Sequence, residues 1–481
     1  MALLEALGAE TWGRLRTLGV GDEGGRSATI ALNPPAARAL AAALRRVPAL
    51  RALELRRVTL SDEAAAELFP ASSADAVPLL RTLAVVKAGL TPAAARMLAA
   101  TCWRLEALDL TSNPRLGAAG LAALLAAPTF ALRRLDLVAC DLDVSTLLSL
   151  ANAPWPLEEL DLSFNDFRGA AAGPALAALS RHRGLRRLKL SNCSLNAAGF
   201  KALVEATWPA LTSLFASWAG VAFVGPHALG AAAFAGFPAL EELALLSMEL
   251  GEQGAALLAS RRWACLRKLN LNACLLGDAS IAALSRGMWP ALQVLYLRGN
   301  YLHAAGLLSV ANVPWPLEEL DLAHNEFGAA VPALAALSRH AGMRKLNVGF
   351  CDLSAAGFKA LVEAAWTALT DLDASLAAVA LDGPHALGAA AFAGFPALEA
   401  LRLERVELGE AGAALLASRR WARLKSLHLN HTELGDAGLA ALARGAFPAL
   451  ERLNLEDNGL TAPLALDDAR RWAPALAALR Q

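Results

Sequence analysis

The sequence predicts an α/β solenoid, a horseshoe with parallel strands on its concave face and helices on its convex face. Three observations predict it. The pattern LxxLxL begins at residues 50, 80, 105, 132, 157, 185, 211, 240, 266, 292, 317, 343, 369, 398, 424 and 450, at intervals of 25 to 30 residues. Leu holds the fourth position in all sixteen, and Met343 is the one departure at the first. Each pattern is followed by a turn and, typically, by a stretch such as GDAGLAALARG (435–445), whose Leu and Ala recur at helical spacing. The array also contains a duplication: ANAPWPLEELDL at 151 returns as ANVPWPLEELDL at 311, and the match continues through six repeats. A single strand–turn–helix repeat cannot cover its own apolar face, so neighbours must stack. Strands pack about 4.8 Å apart and helices about 10 Å apart, so the array bends with the strands inside.

Residues 1–49 read as an N-terminal cap with one irregular repeat, marked by Leu15, Leu18 and Val20. Residues 50–460 hold the sixteen repeats, and 461–481 read as a helical C-terminal cap. Within each LxxLxL the side chains alternate, so Leu faces inward and the intervening residues face out. Trp103, Trp155, Trp208, Trp263, Trp289, Trp315, Trp366 and Trp421 lie two or three residues before a first Leu and read as core plugs. The run 213–240 has no Asp, Glu, Lys or Arg and is long enough to resemble a membrane span. It nevertheless keeps the repeat phase, is broken by Gly225, Pro226 and His227, and has Asp371, Asp373 and Asp382 in its second copy. A buried helix with its loops is the expectation.

Lys plus Arg equals Asp plus Glu at 44 each, so no long-range field draws nucleic acid or an anionic membrane. The N-terminal stretch lacks the basic flank and apolar core of a secretory signal, which points to the cytoplasm or nucleus, with free thiols rather than a disulfide framework for the six cysteines. There is no phosphate-binding loop, zinc-protease or nucleophile-elbow signature, so neither a catalytic set nor a cofactor is expected. His428 and His431 lie near Glu404 and Glu456, but a spacing of three on a strand sends the rings to opposite faces and argues against a metal site.

The combination LxxLxLxxN/C, then Gly, then a full helix resembles the leucine-rich repeat of the ribonuclease-inhibitor type over about residues 50–460. The resemblance implies that the ninth position alternates Asn and Cys and bonds the backbone of the turn. Asn113, Cys140, Asn165 and Cys193 alternate in order, and Cys274, Asn300, Asn325 and Cys351 follow in part. Ala219, Met248, Ala377, Val406 and Thr432 depart from it. The repeats also resemble those of GTPase-activating proteins for Ran, although neither that family's Arg nor its Asn maps to a residue here. A ubiquitin-ligase substrate receptor or bacterial effector is a further reading, without a convincing adaptor-binding segment in the first fifty residues.

The duplicated block carries the functional expectation. Seventeen letters, GPHALGAAAFAGFPALE, run from Gly225 to Glu241 and again from Gly383 to Glu399, and other identical stretches also lie on the helical side. At the fifth, seventh and eighth positions, taken as outward on the strand side, only three of eighteen pairs match: Asp161/Asp321, Ser217/Ser375 and Asn272/Asn430. Exposed helix residues such as Lys201/Lys359 and Glu205/Glu363 agree, so the change is concentrated on one face. This predicts a non-enzymatic module, monomeric alone, that binds a partner protein across the strands. Phe215, Trp218, Tyr296 and Arg298 are the expected anchors, since Trp, Tyr and Arg dominate binding hot spots. Lys189, Phe350 and Arg402 are among the diversified outward residues, and Asp321, which matches Asp161, is a further candidate on the same face. Asp109, Asp136 and Asp161 occupy one position on successive strands, an acidic stripe that either meets a basic partner or is solvated beside Arg133, Arg134, Arg186 and Arg187. Pairs such as Glu158-Glu159 with Arg186-Arg187, and Glu318-Glu319 with Arg344-Lys345, read as cross-strand ion pairs.

Overall fold

Repetition of one apolar pattern gives repetition of one structural step. The computed structural model describes residues 15–21, 30–70, 77–101, 103–127, 129–169, 171–217, 229–375, 379–381 and 386–461, and the chain divides into two compact units, Met1–Leu240 and Glu241–Gln481. From residue 462 on, the segment read as a C-terminal cap lies outside the described residues.

In the first unit, eight strands pair in chain order and in parallel: Thr17–Gly21, Ala52–Arg56, Thr82–Val86, Ala107–Asp109, Arg134–Asp136, Glu159–Asp161, Arg187–Ser191 and Ser213–Ser217. The fourth-position leucines stand directly opposite one another, from Leu53 and Leu83 through to Leu188 and Leu214, and all are buried. In the second unit, nine strands do the same, from Glu242–Leu246 to Arg452–Asn454, with Leu243, Leu269, Leu295, Leu320 and Leu346 in one continuing row. A one-residue slip would turn every such leucine to solvent, so the pattern fixes the register. Helices such as Pro92–Ala99, Val144–Ala151, Ala304–Ala311 and Gly435–Leu442 follow the strands and bury their Leu and Ala stripes. The eight tryptophans named above are all buried at the helix ends. Among the described residues no helix is long and apolar enough to cross a membrane.

In most of the described repeats the turn after the strand is held by the side chain of a ninth residue. Asn113 Oδ1 accepts the N–H groups of Ala88 and Leu90 at 3.1 and 2.9 Å, and its Nδ2 donates to Val85 and Leu110 carbonyls at 2.6 and 2.7 Å. A buried turn therefore leaves few backbone groups orphaned. Asn165, Asn300 and Asn458 repeat the bond set. The thiols of Cys140, Cys193, Cys274 and Cys351 donate instead, to the carbonyls of Leu110, Leu162, Leu245 and Leu322 at 3.1, 3.2, 2.6 and 2.9 Å. Burial pushes all four thiols up to about 12, so they stay protonated donors. Thr432, which breaks the Asn/Cys pattern, holds its turn in a similar way, with its hydroxyl donating to Leu429 O at 2.7 Å. Met248 and Val406 are simply buried apolar residues. The remaining two departures, Ala219 and Ala377, lie outside the described residues.

In the described part of 213–240 the structure differs from the expectation of a buried helix, and residues 218–228 lie outside the described residues. Ser213–Ser217 is a strand, and the described residues 229–240 form turns. Two contacts impose this. Phe234, buried at φ 62°, donates its N–H to Val204 O at 2.7 Å, and Gly236 O accepts from Trp208 N–H at 2.8 Å. A Cβ on Gly236 would sit 2.2 Å from Ala206 O. The second copy repeats the arrangement: Phe392 at φ 63° bonds Val362 O at 2.8 Å, and Gly394, whose Cβ would meet Ala364 O at 2.1 Å, accepts from Trp366 at 2.7 Å. Helical φ is negative throughout, so a segment pinned this way cannot continue as a helix.

Candidate functional site

Because the strands are parallel and in register, the fifth residues of successive repeats form a row on the strand face. In the first unit the row places Asp109, Asp136, Asp161, Lys189 and Phe215 side by side in that order. The acidic stripe is compensated from within. Asp136 is bonded by Arg134 at 2.9 Å, Asp161 lies 3.5 Å from Lys189 Nζ, and Asp109 lies 4.0 Å from Arg56. Asp109 and Asp161 also accept the N–H of Thr111 and Ser163, two residues on, each at 3.0 Å. Burial, with Asp109 and Asp161 alongside, raises the Asp136 carboxyl above its ordinary range. Lys189 Nζ stands 5.8 Å over the Phe215 ring, a cation–π contact. Trp218 lies outside the described residues.

In the second unit the same row runs Tyr296, Asp321, Asn347, Asp373, Arg402 and His428. It borders a shallow cavity of about 230 Å³ lined by Tyr296, Glu319, Asp321, Lys345, Asp371, Asp373 and Arg402 among others. Tyr296 donates to Glu319 Oε1 at 2.6 Å, and its phenol is pushed up by burial and then by that carboxylate. Lys268 Nζ lies 5.5 Å over the ring of Tyr296. Two ion pairs cross the floor, Lys345 to Glu319 at 3.1 Å and Arg402 to Asp371 at 2.7 Å. Four carboxylates and two cations thus leave Asp321 and Asp373 as the carboxylates without an ion pair in the cavity wall, among the described residues. Each uses Oδ1 to accept a turn N–H, from Ala323 at 3.0 Å and from Ser375 at 3.1 Å. Burial raises the Asp321 carboxyl, and Asp373 adds to the shift while Arg298 opposes it.

Arg298 Nη2 lies 2.9 Å from His324 Nε2, and the His324 ring stacks on Phe350 with centroids 5.2 Å apart. Phe350 is not on a strand. The eighth residue of the repeat, wherever it is described, has φ between 51° and 64°, from Arg57 to Asp457, so Phe350 (φ 56°, 40% exposed) projects from the turn. The reading of the eighth position as an outward strand position is corrected accordingly. His431 occupies the same turn position at φ 55° and pairs with Asp457 at 3.3 Å, while His428 sits on the strand. Among the described residues no group of three or more His, Cys, Asp or Glu gathers for a metal.

Of the cavity-lining Glu319, Lys345 and Asp371, sequence reasoning read the first two only as a cross-strand ion pair and missed the third as a site residue. All three are third-position residues, and the period-two alternation places that position outward beside the fifth. The cross-strand ion pairs lie where the charge alternation put them, with Arg187 to Glu159 at 3.2 Å, Lys268 to Glu242 at 2.9 Å and Arg344 to Glu318 at 3.4 Å. They are largely exposed, and each is worth under about 1 kcal/mol.

The leucine-rich repeat family model matches two stretches, residues 105–125 and 424–443. Both span a strand, its Asn- or Thr-held turn and the helix after it. The chain folds as an α/β leucine-rich repeat solenoid. No curated protein sequence matches it. Solved structures similar to this leucine-rich repeat chain include the TLR13–ssRNA13 complex (22% identity, TM-score 0.42, covering 90% of this chain and 54% of that one). The mouse RP105/MD-1 complex is similar at 16% identity and TM-score 0.45, covering 88% and 64%. The yeast Rad7 and Elc1 complex is similar at 17% identity and TM-score 0.42, covering 84% of each. The chain spans about half the length of the TLR13 chain it matches.

Proposed function

We propose that this leucine-rich repeat protein is a non-enzymatic interaction module that binds a partner protein through its strand face, and that its repeats are of the ribonuclease-inhibitor type. The subtype rests on the full helix per repeat and on the Asn and Cys side chains bonding successive turns. The binding proposal is carried by one observation: the strand-face cavity of the second unit, where Tyr296 and Arg402 flank two carboxylates, Asp321 and Asp373, that have no ion-pair partner among the described residues. A cavity of about 230 Å³ with surplus negative charge suits a Lys or Arg side chain presented by a folded partner. Tyr296 supplies the aromatic wall, and the exposed Phe350–His324 stack on the neighbouring turns extends the contact. The concentration of sequence change on this face of the duplicated block, with the helix side kept, agrees with a surface shaped for recognition.

The decisive experiment is quantitative affinity capture with the natural chain, a Tyr296→Ala/Asp321→Asn/Asp373→Asn variant, and a helix-side control, Lys201→Ala/Lys359→Ala. Asn preserves the acceptor for the turn N–H while removing charge, so the first variant keeps its fold by circular dichroism. A protein retained by the natural chain and the control, and reduced about tenfold or more by the strand-face variant, is the expected result. Equal retention by all three overturns the assignment of the face.

A further inference from the structure

The duplicated block supplies an internal control for a second site, independent of the strand face. In the first unit a cavity of about 510 Å³ opens where the chain enters the strands Glu159–Asp161 and Arg187–Ser191, lined by Trp155, Glu158, Arg181, Arg183 and Arg186 with prolines on either side of the indole. Glu158 is engaged outward by Arg133, and Arg181 donates to Asn152 Oδ1 at 2.6 Å. The guanidinium groups of Arg183 and Arg186 have no hydrogen-bond or ion-pair partner among the described residues.

The indole adds a second, unrelated irregularity. Trp208, Trp263, Trp366 and Trp421 each donate Nε1–H to the carbonyl five residues earlier, at 2.8 to 3.0 Å. For Trp155 that carbonyl, Leu150 O, is occupied by His182 Nε2 at 2.8 Å, and the Trp155 Nε1–H is buried without an acceptor among the described residues. A buried donor left unpaired costs about 1–3 kcal/mol. At the equivalent place in the second copy every one of these groups is satisfied. Trp315 Nε1 donates to Gly287 O at 3.0 Å. Ala341 replaces Arg183, and because Gln293 stands where Arg133 does, Glu318 is left to pair with Arg344, the counterpart of Arg186, at 3.4 Å.

We propose that the first-copy cavity binds a phosphate monoester. Its two negative charges match the two uncompensated guanidinium groups, whose planar forks fit phosphate oxygens. The prolines with the indole form an apolar wall for the organic part of the ester. The monoester comes either from a free small molecule or from a phosphorylated side chain of a partner.

Calorimetric titration of the full chain, in phosphate-free buffer, with phenyl phosphate and with a short phosphotyrosine peptide, against phenol and the unphosphorylated peptide, tests the site. Saturable one-site binding of the phosphorylated probes alone is expected, weakened about tenfold by Arg183→Ala and by Arg186→Gln, both exposed positions, and unchanged by Arg344→Gln. In ¹⁵N spectra one indole N–H resonance, the one abolished by Trp155→Phe, shifts on titration. A peptide bound about tenfold tighter than phenyl phosphate identifies a phosphorylated partner as the source, and parity identifies a small molecule. Absence of saturation up to about 10 mM, or equal affinity in Arg183→Ala and Arg186→Gln to that of the natural chain, overturns the site.

Discussion

The eighth residue of the repeat is an L-residue held in a region of backbone space that L-residues avoid. Arg57, Lys87, Phe164, His324 and Phe350 all have φ between 51° and 60°, a conformation that costs about 1–2 kcal/mol for a residue with a Cβ. Gly299 alone among the described residues at this position carries no such cost. Phe164, 59% exposed at φ 60°, has little packing to lose, and its N–H bond to Ser191 O is a backbone bond that any substitution keeps. Phe164→Gly is therefore expected to stabilise the protein by about 0.5–1 kcal/mol after glycine's greater unfolded-state entropy is deducted. Gly299→Ala, with nothing within 4 Å of the new Cβ, is expected to destabilise by a similar amount. Denaturant titrations of the two variants check both signs. This feature was not legible in the sequence. A left-handed residue is normally announced by Gly, Asn or Asp, and the repeat instead enforces it from the neighbouring strand, whatever side chain is present.

At the scale of the element, the repeated seventeen letters show what letter identity does and does not tell. The identity announced a constraint on the segment, and the hydrophobic spacing suggested that the constraint was helical. The structure places it in two backbone contacts, Phe234 to Val204 and Gly236 to Trp208, that lock a turn onto the preceding helix end. Neither contact involves a side-chain pattern that periodicity can detect. The consequence is a sharp dependence on one missing atom. Gly236→Ala and Gly394→Ala each drive a Cβ to about 2 Å from a carbonyl oxygen, and each is expected to destabilise by about 2–4 kcal/mol. Gly230→Ala meets only the far end of the Glu205 side chain at 2.9 Å, which can swing aside, so it is expected to cost less than about 1 kcal/mol. Thermal unfolding of the three variants separates them, and equal costs at Gly230 and Gly236 would remove backbone contact as the reason for the repeated letters.

Across the whole chain, the apolar ladder is legible in the sequence because each leucine's partner is another leucine at the same position of the next repeat. The strand-face site is legible only in part for the converse reason. Tyr296 and Arg402 stood out as changed outward residues and Asp321 as an unchanged one, but which charges remain uncompensated depends on register-level pairing such as Lys345 with Glu319 and Arg402 with Asp371. The same step-by-step contact governs stability, since in a stacked array each repeat leans on its neighbours. Leu346, 2% exposed, stands between Leu320 and Leu372 in the second unit. Leu346→Ala is expected to cost about 3 kcal/mol through lost burial and the cavity left behind. If stability is a sum of nearest-neighbour terms, amide exchange quickens most in Glu319–Asp321, Lys345–Asn347 and Asp371–Asp373, while Arg134–Asp136 in the first unit keeps its protection. A uniform loss of protection in both units would instead mean that the array unfolds as one cooperative block, and that the leucine row couples far more than adjacent repeats.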